Sequence, residues 1–322
     1  MHLSRRQALA GVLAGVVFVP SFARAENGAP ARVVLGRFTT TYPFDKEHKA
    51  RAFNVELAAG AIDGVVIPGG GVFSFNEAVG ERTAAFGYEK AVVIRDGMIA
   101  EGSGGGACQV ASTLHAAALL AGLEIVRRAA HSRPSAYIRM GLDATVSLGG
   151  PGPEIDLRIK NPTPRPVTIH ARAGRGSLEV WIDAPSGERP SVTVTSEIVE
   201  RIPFERVVQR DKRARDGVVV VKAFGIPGYR VRRTREVRSA DGTVRRDVRI
   251  DVYSPVTEIV QVSPAFDEAR VPERLALLDS DEARGKPSSP DDPLVVVEPS
   301  AVRPVLVQLR PSKVVTIDNG AR

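Results

Sequence analysis

Gly102-Ser103-Gly104-Gly105-Gly106-Ala107-Cys108-Gln109-Val110-Ala111-Ser112-Thr113-Leu114-His115-Ala116-Ala117-Ala118-Leu119-Leu120 is a glycine run that feeds an alanine- and leucine-rich helix. What stands on either side of it decides the fold class. Upstream, Val33 to Thr41 reads as a strand, and Lys46 to Gly60 as a helix with Phe53, Val55, Leu57 and Ala58 as its apolar residues. Val72 to Phe75 is a short extended segment. Ala91 to Ile94 and Met98 to Ala100, joined by Asp96-Gly97, predict a tight hairpin, because Asp-Gly is a favoured two-residue turn. Beyond Ala130 the pattern turns to strands at Ala144 to Leu148, Ile155 to Ile159, Val167 to Ala171 and Leu178 to Ile182, with Asn161-Pro162-Thr163-Pro164 as a turn. Helices first and antiparallel strands afterwards imply an α+β fold rather than a parallel α/β one.

Further along, Pro185 to Pro190 has the composition of a linker. A strand-rich second unit, residues 191–262, follows. There Val231, Arg233, Arg235 and Val237 alternate with polar neighbours, which predicts a thin sheet with little core and one solvated face. Residues 263–322 form a Pro-rich, partly disordered tail in which Leu294 to Val297 and Val305 to Leu309 are candidate edge strands. The domain reading is therefore 32–184, a linker at 185–190, and a small all-β unit at 191–262.

Residues 1–25 carry the marks of an export signal. Arg5-Arg6 precede an apolar stretch from Ala8 to Val19, and Ala23-Arg24-Ala25 is a small-x-small cleavage site. The arginine pair favours the twin-arginine (Tat) route, and Pro20 ends an apolar run too short to span a membrane. A periplasmic or cell-surface protein with no membrane span after signal removal is expected. Composition is that of a globular chain, 43% hydrophobic and 25% charged, with a net charge of +7. In the envelope that charge suits an anionic wall polymer. The basic residues lack the aromatic interleaving or zinc-finger spacing of nucleic-acid binders, so no nucleic acid is expected.

The chain has one cysteine, Cys108. An exported protein with one cysteine has no internal disulfide, and its thiol is exposed to oxidation unless protected or useful. At the first turn of a helix, free N–H groups and the helix dipole lower a thiol's pKa. The competing reading is a small buried residue that follows a turn. A thiol nucleophile needs a base and a group to orient it. His115 lies on the same helix, two turns and roughly 10 Å from Cys108, too far to pair with it. His131, which opens the segment after the helix, is the better candidate, and Asp143 could orient its imidazole. The geometric test is a thiol–imidazole separation of about 3–4 Å. His48, His115 and His170 have no metal spacing, and neither metal nor cofactor is expected.

At these residues the sequence resembles the VanW family, named from vancomycin-resistance gene clusters. The resemblance runs from about Thr39 to Ile182. It rests on Arg51 and Asn54, Pro68-Gly69, Phe73 to Asn76, Gly80, Arg82-Thr83 and Gly87-Tyr88, then on Gly104-Gly105-Gly106-Ala107-Cys108-Gln109. It continues through His131-Ser132, Tyr137, Gly141, Asp143-Ala144, Asp156-Leu157 and Asn161. The second unit is similar to a G5 domain through Ile198-Val199-Glu200, Gly225, Gly228, Asp241-Gly242 and Pro255, a shorter match. The implied fold is a VanW-type α+β domain followed by a small all-β G5-like domain.

Some VanW members act as L,D-transpeptidases that cross-link peptidoglycan stem peptides through a cysteine acyl-enzyme. Carried over, the resemblance makes Cys108 the nucleophile, His131 the base and then the acid, and Asp143 its orienting group. Gly104, Gly105, Gly106, Gln109, Ser132, Tyr137, Arg51 and Arg82 would line the substrate site, with arginines suited to a stem carboxylate. The N–H groups of Ala107, Cys108 and Gln109, or the Gln109 amide, would hold the oxyanion. The familiar wall-transpeptidase motif places its histidine before the glycine-cysteine element; here His131 follows it. G5 domains bind N-acetylglucosamine-containing polymers, which would give the second unit a wall-anchoring role. The readings in play are a cysteine-dependent peptidoglycan acyltransferase, a non-catalytic wall-binding protein linked to vancomycin-resistance-type clusters, and an accessory factor of an envelope complex.

Overall fold

The computed structural model describes residues 31–95, 98–148, 152–185, 189–272, 294–297 and 314–320. The export signal, the Asp96-Gly97 turn, linker residues 186–188, the stretch 286–293 and the candidate strand at 305–309 lie outside the described residues. Strands dominate the rest, with few helices.

The chain opens with β1 (Arg32–Thr41), α1 (Lys49–Ile62), β2 (Val66–Ile67), β3 (Val72–Ser74) and the short α2 (Phe75–Val79). The hairpin of β4 (Lys90–Arg95) and β5 (Met98–Ser103) leads into α3 (Ala107–Leu120). Next come β6 (Glu124–Arg127), β7 (Ser147–Leu148), β8 (Glu154–Ile155), β9 (Arg158–Lys160), β10 (Val167–Gly174) and β11 (Ser177–Pro185). An antiparallel sheet ordered β1-β11-β10-β2 carries the main core. Its β10–β11 hairpin turns on Arg175 and Gly176, both at positive φ, as a twist-matched two-residue turn requires.

Two elements differ from the sequence expectation for local reasons. On α1, Phe53 is exposed whereas Asn54 is fully buried, because the Asn54 side chain binds the backbone of Glu89 and Gly105. The expected strand at Ile155 to Ile159 is broken. Asp156 turns its carboxylate to Ser74 Oγ at 2.7 Å and Asn76 N at 3.0 Å, and Leu157 O accepts from Phe75 N at 3.0 Å. Those contacts take the backbone out of the ladder between β8 and β9.

The second part of the chain adds β12 (Ser191–Ile202), β13 (Arg206–Arg210), β14 (Val218–Ala223), β15 (Gly228–Arg238), β16 (Val244–Tyr253) and β17 (Glu258–Val262). Later β18 (Leu294–Val297) and β19 (Val314–Asp318) return to this part, so one sheet is ordered β16-β15-β12-β19 and another β13-β17-β14-β18. The β19 pairing with β12 is not foreseen in the sequence.

Arg32–Arg322 forms one compact unit, within which α3 contributes to two core clusters. Val110, Ala111, Leu114, Ala117 and Ala118 face the β1–β11 core, while Ala116, Leu119 and Leu120 pack with Ile138, Leu142, Val192, Val194 and Val237. On the first side β1 comes so close to the helix that a Cβ on Gly36 would strike Ala121 N and Ala117 O. On the second side lies the β12–β15 sheet. This corrects the expected solvated arginine face. The face of β15 with Val231, Arg233, Arg235 and Val237 is the buried one, and Arg233 and Arg235 are each 4% exposed. Arg235 Nη1 donates to Leu123 O at 2.6 Å, Arg235 Nε to Asp247 at 2.7 Å, and Arg233 Nη1 to His115 Nε2 at 3.2 Å. Hydrogen bonding of this kind is what allows guanidinium groups on a buried face.

Candidate active site

Cys108 stands in the first turn of α3, half-buried, with its N-cap at Gly106. The glycine run turns sharply to set it there: Gly104 has φ +78° and Gly106 φ +119°. A Cβ on Gly106 would come within 2.8 Å of Val55 Cγ2 and 3.1 Å of Arg51 O, and one on Gly104 within 2.6 Å of Arg82 Cβ. Gly105 O accepts from Asn54 Nδ2 at 3.1 Å. These three glycines therefore seat the turn on α1 and on the Arg82 segment.

The Cys108 thiol and the His131 imidazole lie close enough to shift each other's ionisation, and Sγ lies 3.6 Å from Val146 O. His131 is buried, and its Nδ1 donates to Asp143 Oδ2 at 2.8 Å. A carboxylate acceptor on Nδ1 leaves Nε2 to face the thiol and the Tyr137 hydroxyl, 3.3 Å away. Asp143 is 1% exposed. Its Oδ2 also accepts from His131 N at 2.7 Å, and its Oδ1 from Arg128 Nη2 at 2.8 Å and Tyr253 Oη at 2.6 Å. Ser112, one turn along α3, donates to Cys108 O at 2.6 Å and accepts from Ala144 N at 2.9 Å. That pair of bonds ties the Asp143–Ala144 segment to the helix bearing the thiol.

Electrostatics follow from this packing. Burial alone would raise the Cys108 pKa, but the His131 contact, helped by Val146 and the Arg82 charge, outweighs it and lowers the thiol. Burial would likewise lower His131, yet Asp143 and Cys108 overcome it and raise the imidazole to about 9. Burial opposes ionisation of Asp143 too, and His131 and Arg128 hold it well below the usual carboxylate range. The arrangement shifts the pair toward thiolate and imidazolium. Burial pushes the Tyr137 hydroxyl up, with the Cys108 charge adding to it, so it stays protonated as a donor beside that pair.

The other expected site residues fall into two groups. Arg51 and Arg82, both half-buried, flank the thiol, and the charges of both interact with Cys108. Arg51 lies over the Tyr137 ring at 5.7 Å, and its buried Nη1 has no hydrogen-bond partner among the described residues. Gln109 is different. Its Oε1 accepts from Arg51 at 2.7 Å and its Nε2 donates to Thr40 Oγ1 at 2.9 Å and Thr41 O at 3.0 Å. A fully buried amide with every group engaged has no donor left for an oxyanion, which corrects that expectation. Among the N–H groups, Ala107 donates to Gly104 O and Gln109 to Gly106 O, while that of Cys108 has no backbone acceptor among the described residues. Ser132 is exposed, and its carbonyl accepts from Ser254 N at 2.8 Å.

His115 is buried away from the thiol, with Nδ1 on Leu142 O at 2.7 Å. Asn161 and Asp156 hold loops rather than approach the site. Sequence reasoning missed Arg128, Asp251 and Tyr253, and no local signal marks them, since two of the three come from β16. Surface concavities lined by Arg37, Phe38 and Asn319, and by Val66, Phe73 and Glu77, contain neither thiol nor imidazole. Among the described residues no helix is long and apolar enough to cross a membrane.

Residues 50–182 match the family described as VanW like protein. The chain is 40% identical over 171 residues to the uncharacterized protein YoaR of Bacillus subtilis (strain 168), covering 53% of this chain and 54% of YoaR. It is 32% identical over 118 residues to the vancomycin B-type resistance protein VanW of Enterococcus faecalis (strain ATCC 700802 / V583), covering 35% of this chain and 42% of that protein. The chain thus spans about half the length of these curated relatives. Two solved structures match it in part: the IgA1 protease G5 domain, with 23% identity, 23% of this chain, 92% of that one and a TM-score of 0.18, and HP0197-G5, with 18%, 24%, 100% and 0.14. Residues 50–182 thus form a VanW-like region, the part of the chain that carries the likeness to these relatives.

Proposed function

We propose that the protein is an exported cell-envelope cysteine acyltransferase that works on peptidoglycan stem peptides in the manner of an L,D-transpeptidase. The observation that supports this reading is the His131 imidazole, bound through Nδ1 to the buried Asp143 carboxylate and placed so that it and the Cys108 thiol act on each other's ionisation. That is the arrangement an activated thiol requires. In this reading an α+β VanW-type region, 32–184, supplies the thiol, and a G5-like region, 191–262, adds affinity for wall glycan. The relative named as a vancomycin resistance protein fits a role at the wall.

The chemistry runs in two balanced steps. The Cys108 thiolate attacks the carbonyl carbon at the L-centre of a donor stem, and the Cys108 N–H and the Tyr137 hydroxyl face the oxygen that gains charge. His131 Nε2–H gives its proton to the departing amine of the terminal D-residue, leaving a thioester. An acceptor stem amine then attacks the thioester carbonyl, His131 takes the amine proton, and the thiolate leaves. Arg51 and Arg82 beside the thiol suit a stem carboxylate. The test is mass spectrometry of muropeptides incubated with the wild type and with Cys108→Ala. New cross-links or trimmed stems made by the wild type alone are expected. Unchanged muropeptides together with binding to sacculi would refute catalysis and leave a wall-binding protein.

A further inference from the structure

We propose that β16, a strand of the second sheet, belongs to the machinery of the site: Tyr253 and Asp251 are positioning residues that hold the Asp143 carboxylate and its Arg128 partner. This rests on the acyl-transfer reading of the Cys108–His131–Asp143 relay. The contacts cross more than a hundred residues of sequence. Tyr253 Oη donates to Asp143 Oδ1 at 2.6 Å and accepts from Gly141 N at 2.7 Å. Its ring is fully buried among Met140, Tyr229 and Val231, so the hydroxyl has one place to go. Asp251, 4% exposed, accepts from Arg128 Nη1 at 2.5 Å and from Arg249 Nε at 3.2 Å. Arg128 in turn donates through Nε to Asp143 O at 2.6 Å and through Nη2 to Asp143 Oδ1. At the other end of the segment, Ser254 N donates to Ser132 O at 2.8 Å. The loop from His131 to Asp143 is thus clamped between α3 and β16.

The two residues act on Asp143 with opposite sign. The Tyr253 hydroxyl shares the carboxylate charge and so weakens its hold on the His131 proton. Asp251 draws on Arg128, leaving less of that positive charge for Asp143 and strengthening the hold. The charged and titratable groups around His131 are Cys108, Tyr137 and Asp143, then Arg128, Tyr253 and Asp251 behind Asp143, with Arg249 on Asp251. Arg51 and Arg82 flank the thiol.

The test is the titration of His131 in the full chain, by NMR of imidazole-labelled protein, with His131→Gln to assign the resonance. Tyr253→Phe keeps the ring in its pocket and is expected to raise the His131 midpoint by about half a unit; Asp251→Asn is expected to lower it by about as much. A merely structural clamp would move both midpoints the same way, toward an ordinary histidine. Shifts in the same direction, or none in folded variants, overturn the proposal. Should Asp251→Asn fail to fold, Tyr253→Phe decides alone: an upward shift supports the proposal, and an unchanged or lower midpoint overturns it. The readout needs no substrate. Opposed shifts in a protein that makes no cross-links would therefore refute acyl transfer while leaving the positioning contacts standing.

Discussion

Asp143→Asn keeps the volume of the side chain and removes its charge. In the native site two donors from His131 meet Oδ2 and two more, from Arg128 and Tyr253, meet Oδ1. An amide offers an oxygen on one side only. Arg128 cannot accept a hydrogen bond, whereas the His131 ring can change tautomer, so the oxygen goes to Arg128 and Tyr253 and the NH2 group turns to His131, whose backbone N–H then loses its acceptor. Nδ1 then becomes the acceptor and the proton moves to Nε2, where it blocks transfer from the thiol. The imidazole, raised to about 9 by Asp143 and Cys108 together, loses the Asp143 part of that shift. If that part is about one to two units, the balance between the thiolate–imidazolium and thiol–imidazole pairs moves about ten- to hundredfold toward the neutral pair.

The assay is the rate of Cys108 alkylation by iodoacetamide between pH 5 and 10, followed by mass spectrometry, with circular dichroism to verify folding. Wild-type protein should react with a midpoint below that of a free thiol, because His131, Val146 and Arg82 lower the Cys108 pKa. The variant should react slowly at pH 7 and approach the wild-type rate only in alkali, near about 8.5 and above, where a free thiol ionises. A folded Asp143→Asn protein that alkylates at pH 7 within about threefold of wild type would refute the reasoning.

Two further predictions concern the buried charges around α3. His115 is held neutral between Leu142 O and Arg233, with a pKa pushed well below its ordinary value by burial and by the charges of Arg128 and Arg233. Because the unfolded chain binds this proton first, stability should fall as pH drops below about 6.5, by up to about 1.4 kcal/mol per unit. Urea titrations at pH 5 and 7 should show that slope in wild type and a flatter one in His115→Asn; equal slopes would sink the assignment. The two arginines should respond to methionine to very different degrees. Arg128→Met takes the shared buried cation from two carboxylates, leaving Asp143 to His131 and Tyr253 and Asp251 to the half-exposed Arg249, and should cost about 3–5 kcal/mol in the same titration. Arg233→Met leaves Asp247 its 2.7 Å partner Arg235, so the change should stay within about 1 kcal/mol; a loss as large as that of Arg128→Met would show the burial argument to be wrong.

How much of the site could be read beforehand depended on whether its parts were local. Cys108 at a helix start and His131 after the helix are local features, chosen because a thiol at a first turn ionises easily and needs a base that is not on its own helix. Gln109 was misjudged because its neighbour relation to Cys108 is visible in sequence while its three partners, Arg51, Thr40 and Thr41, are not. Tyr253 offered no signal at all: at the end of a β strand it looks like any aromatic packing residue. Its hydroxyl matters because of a contact 110 residues away, and only the packed sheet brings the two together.

The fold was legible to a similar depth, and its clearest failure explains the site. Alternation of valine and arginine on β15 predicted a sheet with its arginines in water, since isolated guanidinium groups are costly to bury. That argument is right for an isolated sheet. Here α3 is buried all round, and its second face is covered by β12 and β15. The arginines go in because the covered surface is itself polar at intervals: the turn after α3 offers the Leu123 carbonyl to Arg235, and His115 offers a lone pair to Arg233. Placing acceptors opposite arginines fixes the sheet in one register against the helix. That register sets β16 beside the His131–Asp143 loop and brings Asp251 to Arg128 and Tyr253 to Asp143. The residues that looked like a solvated stripe are thus what aligns the second sheet with the thiol site. A shift of one residue along β15 would turn those side chains to the other face and would break the Asp143 contacts together with the arginine bonds.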